Sequence, residues 1–199
     1  MIIGLIGNIG SGKTTIASIL TKQYNYEEII FSDPLKQIGL IFGFEHHQLY
    51  GTQLEKNEIN KKRGISGRTF LQKFGTDICR DILPNIFPTF ERIWIKLAEE
   101  KLINSKSKNI IFSDCRFYDE VELIKKHGGM IVKIVNECNE CNSTDRSTSE
   151  VHNHSSEILD ELYYDIILVN EKKSISVLQM QIDELLKANL NNFKYCVKI

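Results

Sequence analysis

Apolar and polar positions along this chain alternate between two periods. Met1-Ile2-Ile3-Gly4-Leu5-Ile6 is an apolar run of strand length, and Thr15-Ile16-Ala17-Ser18-Ile19-Leu20 is compatible with a helix. Glu27 to Asp33 reads as a short buried strand ending in the polar pair Ser32-Asp33, with Pro34 at the first position of a new helix. Asn109 to Asp114 repeats that pattern, a buried run ending in a carboxylate, and the helix over Asp119 to Lys126 stops at Gly128-Gly129. Met130 to Val135 and Asp165 to Asn170 are further strands, and Ile175 to Lys187 is an amphipathic helix. Between the second and third strands, Phe70, Phe74 and Ile78 recur every four residues within Arg68 to Arg80, the spacing of a helix with an aromatic stripe. Phe90 to Ile103 carries Trp94, Leu97 and Ala98 at helical spacing; core packing accounts for the indole, with base stacking as the alternative. Strand and helix alternate throughout, which predicts an α/β fold, a parallel sheet of about five strands with helices on both faces.

Two stretches stand apart. Gly43 to Gly67 is polar with weaker periodicity and reads as a solvated connection with a helix inside it. Asn136 to Ser156 is more hydrophilic still and reads as a mobile lid inserted after a core strand. Residues 190–199 fit no pattern cleanly.

The first strand and helix are joined by Gly7-Asn8-Ile9-Gly10-Ser11-Gly12-Lys13-Thr14, which matches G-x-x-x-x-G-K-[ST] at every position. Glycines let backbone N–H groups turn around phosphate oxygens, and the helix N-terminus adds partial positive charge. Residues 7–15, Gly7 to Thr15, are therefore expected to hold the phosphates of ATP. Lys13 would reach the β- and γ-phosphates, and the Thr14 hydroxyl would face Mg²⁺. A glycine-rich turn alone would explain Gly7 but not a lysine followed by a hydroxyl.

Two carboxylates end strands at the edge where open α/β sheets bind ligands, and the strand ending at Asp33 is expected beside the one that carries the glycine loop. Asp33 is a candidate catalytic and acceptor-binding residue; capping of the next helix by Ser32 or Asp33 is the other reading, and one carboxylate can do both. Asp114 stands where P-loop enzymes place an aspartate that orients the metal or its waters, so Mg²⁺ would sit between Thr14 and Asp114, partly through water. Arg116 follows close enough to neutralise phosphate charge, with a salt bridge to the adjoining helix as the alternative. On the aromatic helix, Arg68 and Gln72 share one flank and Lys73, Asp77 and Arg80 another; arginine's planar fork suits a phosphate. Solvated ion pairing is the competing account of those charges.

Composition narrows the classes. At 199 residues, 42% hydrophobic and 26% charged, the chain reads as one globular domain, and no apolar run approaches a membrane span. A net charge of −1 gives no electrostatic case for a nucleic-acid partner, and Lys61-Lys62-Arg63 is too short to make one. Met1 enters the first strand directly, which predicts no signal peptide, and the odd count of 5 cysteines suggests reduced thiols in a cytoplasmic compartment. Cys138-x-x-Cys141 followed by His152-x-His154 invites a zinc reading, but a single residue between the histidines is short of the usual spacing.

Five segments together, GLIGNIGSGKTT at the start, FSDPLK around Asp33, GRTFLQKFGTDICR from Gly67, IIFSDCRFYDEVELIKKHGG from Ile110 and HSSEILDE from His154, resemble the deoxynucleoside monophosphate kinase family of tailed bacteriophages and some large DNA viruses. The resemblance covers nearly the whole chain. It implies a P-loop kinase fold over residues 1–199, with an acceptor-binding helical region at about 43–104 and the lid at about 136–156. It also implies transfer of the γ-phosphoryl of ATP to a deoxynucleoside 5′-monophosphate by a homodimer, in the host cytoplasm if the chain is viral. Arg68, Gln72, Asp77, Arg80 and Arg116 become candidate acceptor contacts, with Arg146 swinging in from the lid. The family commonly has DVRFPNE where this chain has Asp114-Cys115-Arg116-Phe117-Tyr118-Asp119-Glu120, so the start of the following helix is open. His154-Ser155-Ser156-Glu157 matches the family's HxSE element, which weakens the zinc reading of His154. The competing readings are another small-molecule P-loop kinase, such as one like dephospho-coenzyme A kinase, and a nucleotide-binding ATPase or regulator without an acceptor.

Overall fold

A computed structural model describes residues 1–136, 162–170 and 175–189. The chain divides into two compact units, Met1–Ile29 with Leu102–Ile199, and Ile30–Lys101.

In the first unit, β1 (Ile2–Ile6) leads through the glycine loop into α1 (Lys13–Gln23) and on to β2 (Glu27–Ile29). The second unit carries α2 (Asp33–Ile41), α3 (His46–Tyr50), α4 (Gln53–Asn57), α5 (Gly67–Gln72), a π-helical stretch over Lys73–Ile82, and α6 (Leu83–Ile86). Helix α7 (Ile93–Asn104) leads back to β3 (Ile110–Phe112), α8 (Tyr118–Lys126), β4 (Met130–Asn136), β5 (Ile166–Asn170) and α9 (Ile175–Asn189). The five strands form one parallel sheet in the order β2-β3-β1-β4-β5. Central β1 is flanked by β3 and β4, with Ile3 opposite both Ile111 and Met130.

Alternation along β1 explains the layers. Ile3 and Leu5 point to one face and pack with Ile16 and Leu20 of α1 and Leu178, Ile182 and Leu185 of α9. Gly4 points to the other face, where a Cβ would lie 2.6 Å from Ile124 Cδ1 of α8 and 2.9 Å from Ile131 Cδ1. A side chain there would force the Ile124 and Ile131 side chains to shift. Helices thus cover both faces, as the alternation predicts.

In the second unit, Leu35, Phe44, Leu49, Phe70, Cys79 and Trp94 form a separate core. The expected aromatic helix is present but changes type. It is α-helical to Gln72 and π-helical from Lys73 to Ile82, so hydrogen bonds step to i→i+5 and each turn holds more residues. The buried face consequently drifts: Phe70 and the partly buried Phe74 stack at 5.2 Å, but beyond them Gly75, Thr76 and Cys79 are buried while Ile78 is 40% exposed. Gly75 lies against Leu35, and its carbonyl accepts a hydrogen bond of 3.0 Å from buried Trp94 Nε1, so the indole serves the core.

Gly43 to Gly67 is more ordered than its polarity suggests. Asn60 and Gln48 are both buried; Asn60 Nδ2 donates to Gln48 Oε1 at 2.7 Å and to the Gly43 carbonyl at 3.2 Å, while Asn60 Oδ1 accepts from the amides of Lys62 and Arg63. A paired buried amide can specify a turn without an apolar pattern to announce it. Strand β2 is shorter than its apolar run, and α2 starts at Asp33, so Pro34 sits one position inside the helix. The lid segment from residue 137 onward lies outside the described residues, and with it Arg146, Cys138, Cys141, His152 and His154.

Candidate active site

The loop between β1 and α1 turns on three glycines of positive φ. Gly7, Gly10 and Gly12 have φ of 149°, 78° and 108°, values that L side chains rarely adopt. A Cβ on Gly7 would also lie 2.5 Å from the Ile134 carbonyl, and one on Gly12 would lie 2.5 Å from Asn170 Nδ2. Helix α1 begins at Lys13, so its first amides face the loop. Lys13 Nζ donates to the carbonyls of Gly7 at 2.6 Å and Asn8 at 2.9 Å, curling over the loop it serves. Thr14 and Thr15 are exposed at the start of a shallow groove of about 360 Å³ that follows α1 to Gln23.

Charge is concentrated beside this loop. Burial, and then the neighbouring Arg116 guanidinium, push the Lys13 ammonium from 10.5 down to about 8, against the opposing pull of Asp114 and Cys115. Two cations held together in a partly desolvated place repel each other, and an anion between them relieves that repulsion. Asp114 and Arg116 follow β3, at the carboxyl end of the sheet, and the buried thiol of Cys115 between them is driven well above its ordinary pKa by desolvation. Glu120 settles how α8 begins without the proline-asparagine step: its buried carboxylate accepts from the amides of Arg116 at 2.6 Å and Phe117 at 3.1 Å. The turn bearing Arg116 is thereby held from below. Thr14 and Asp114 present one hydroxyl and one carboxylate, an oxygen donor set that suits Mg²⁺, which keeps several waters and takes its remaining ligands from phosphates.

The acceptor candidates of the second unit lie on α2, α5 and the π-helical stretch. Asp33 is the first residue of α2, and the N-cap Ser32 makes no side-chain capping bond. The Asp33 carboxylate accepts 3.0 Å from the Tyr50 hydroxyl and 3.3 Å from Lys101 Nζ. Tyr50 in turn accepts from Gln37 Nε2 at 2.8 Å and stacks on His46 at 4.4 Å. Burial, with the Asp33 hydrogen bond second, raises the Tyr50 phenol to about 12, so it stays a donor. Arg68 donates to Gln53, and Asp77 pairs with Lys73 at 2.9 Å. Gln72 closes α5, and Arg80, like Asp77, lies in the π-helical stretch.

Sequence reasoning missed Tyr50, which belonged to the stretch read as connection, and the two asparagines that end β4 and β5. Asn170 Nδ2 donates to the Ser11 carbonyl at 2.9 Å and Asn136 Nδ2 to the Gly10 carbonyl at 3.4 Å. The available signal was an amide closing each apolar run at the ligand-binding edge of a parallel sheet.

Comparison with known proteins bears on the family and the fold. Residues 43–182 match the family model described as deoxynucleotide monophosphate kinase. A protein of Acanthamoeba polyphaga mimivirus, provisionally named a deoxynucleotide monophosphate kinase, is 35% identical over 185 residues, covering 86% of this chain and 89% of that one. Among solved structures, shikimate kinase from Aquifex aeolicus vf5 is similar over 97% of this chain and 100% of its own, at 20% identity and a TM-score of 0.51. A Thermus thermophilus protein is similar over 94% of this chain and 97% of its own, at 16% identity and a TM-score of 0.51. The two structures bear on the fold alone, a parallel α/β fold shared with shikimate kinase. The family match and the viral relative bear on the activity: the chain belongs to the deoxynucleotide monophosphate kinase family and is a nucleotide kinase, a phosphotransferase.

Proposed function

We propose that the chain transfers the γ-phosphoryl of ATP, bound with Mg²⁺, to a deoxynucleoside 5′-monophosphate, giving the diphosphate. The observation that carries this reading is the half-buried Lys13 ammonium curled over a loop in which Gly7, Gly10 and Gly12 all have positive φ, with the Arg116 guanidinium near enough to lower its pKa. Such a place favours a polyanion.

Lys13 would leave the Gly7 and Asn8 carbonyls for the β- and γ-phosphates. The amides at the start of α1 hold the same phosphates in line. Thr14 and Asp114 would hold Mg²⁺, which when bound neutralises charge on the phosphate chain. Arg116 would meet the charge that spreads over the moving group. Asp33, kept in place by Tyr50 and Lys101, would orient the acceptor phosphate, and Arg68, Gln72, Asp77 and Arg80 are the remaining acceptor candidates, with Arg146 added from the lid. An acceptor phosphate monoester is already ionised near neutral pH, so little general-base help is required.

The test is ATP-dependent diphosphate formation across dTMP, dGMP, dCMP, dAMP and their ribose counterparts, with dephospho-coenzyme A as the competing acceptor. Turnover of at least one deoxynucleotide, abolished in Lys13→Ala, supports the reading. ATP hydrolysis without any acceptor, or use of dephospho-coenzyme A alone, overturns it. The homodimer is checked by sedimentation velocity.

A further inference from the structure

We propose that Asn170, seconded by Asn136, is a positioning residue for phosphate binding: it grips the back of the loop and thereby aims the Gly12 amide at the phosphate chain. This rests on the nucleotide reading of the loop given above. Asn136 and Asn170 are directly opposed in the parallel register of β4 and β5, so two carboxamides leave the sheet side by side at its carboxyl end. They reach two successive peptide groups of the loop, Gly10 through its carbonyl at 3.4 Å and Ser11 through its carbonyl at 2.9 Å.

A trans peptide is planar, with C=O and N–H pointing in opposite directions. Holding the Ser11 carbonyl toward β5 therefore fixes the Gly12 N–H toward the other side, where the loop faces its ligand. The equivalent Ser11 N–H is already used within the loop, donating to the Asn8 carbonyl at 3.1 Å, so the Asn170 contact governs an amide still to be committed to phosphate. The contact is close enough to matter for the residue at position 12. A Cβ on Gly12 would approach Asn170 Nδ2 to 2.5 Å, and Gly12 has φ of 108°. Among the described residues buried Asn136 Oδ1 has no hydrogen-bond partner, so that carboxamide is oriented for what its NH₂ group donates.

The experiment compares Asn170→Ala and Asn170→Asp with Gln181→Ala. The last removes a 3.1 Å bond to the neighbouring Val169 carbonyl on β5 without touching the loop. Affinities for ATP, AMP and magnesium tripolyphosphate are measured by calorimetry, alongside the thermal midpoint without ligand. Both Asn170 variants should lose about tenfold in ATP and tripolyphosphate affinity, the effect of one well-placed hydrogen bond, with AMP affinity little changed. Asn170→Asp should lose most, since it replaces the donor with a charge that repels the carbonyl and the phosphates. Gln181→Ala should bind all three ligands as wild type does. Unchanged tripolyphosphate affinity in both Asn170 variants overturns the inference, as does an equal loss for AMP, which would mark a general folding defect. If wild type itself binds neither ATP nor tripolyphosphate, the nucleotide reading fails instead.

Discussion

Lys13 keeps a positive charge where burial and the Arg116 guanidinium both oppose it, and its folded pKa of about 8 lies below the ordinary 10.5. Between those two values the unfolded chain binds more protons than the folded one, so this group makes stability rise with pH across that window. Below about pH 8 the charged lysine is a net cost to the ligand-free fold. Lys13→Met should therefore be at least as stable as wild type near neutral pH. Wild type should gain on it between about pH 8 and 10.5 in urea unfolding of the nucleotide-free protein. Loss of stability on substitution at neutral pH would contradict the electrostatic account. Function runs the other way, since Lys13→Ala should lower turnover by about a thousandfold or more. The sequence identified Lys13 because its neighbours are consecutive in the chain. It could not show Arg116 as its electrostatic partner, because β3 brings that residue to the loop from more than a hundred positions away.

Helix type is decided one level higher. The four-residue spacing of Phe70, Phe74 and Ile78 predicts an ordinary helix, and the chain follows it only to Gln72. What favours the wider coil is tertiary: Gly75 lies against Leu35, and its carbonyl is bonded by Trp94 from α7. Trp94→Phe should cost about 1–2 kcal/mol in urea unfolding through loss of that bond to a buried carbonyl. Gly75→Ala should cost about 1–3 kcal/mol, because its Cβ would lie 2.4 Å from Leu35 Cδ2. Because Arg80 sits within the same π-helical turns, Arg80→Ala should raise the acceptor KM about tenfold or more while leaving ATP affinity alone, a split read from initial rates with each substrate varied. If Arg80→Ala left acceptor kinetics untouched, this stretch would have no part in acceptor binding.

Across the whole molecule, a ligand that binds only the folded state stabilises it by mass action. Magnesium ATP at about a hundred times its Kd should contribute about 2.7 kcal/mol and raise the thermal midpoint by about 5–10 °C, an increase that Lys13→Ala should abolish in a scanning-calorimetry pair. At this scale a five-stranded parallel sheet with helices on both faces follows from what the sequence alone displays, buried runs of strand length alternating with helices, whereas the order β2-β3-β1-β4-β5 does not, since β3 comes between β1 and the strand that leads to Asp33. Those runs are local, so their periods survive without knowledge of the fold, and the glycine loop with its lysine is local in the same way. The asparagine pair on the loop's carbonyls, the Tyr50 and Lys101 contacts of Asp33 and the Gln48–Asn60 pair depend on side chains distant in sequence or set in a stretch without apolar rhythm. The sequence by itself determined the alternation of strands and helices along the chain and the glycine loop with its lysine between the first strand and helix. Only tertiary structure decided which distant groups hold those residues in place, because hydrogen bonds and electrostatic coupling depend on distances in space that a one-dimensional pattern does not contain.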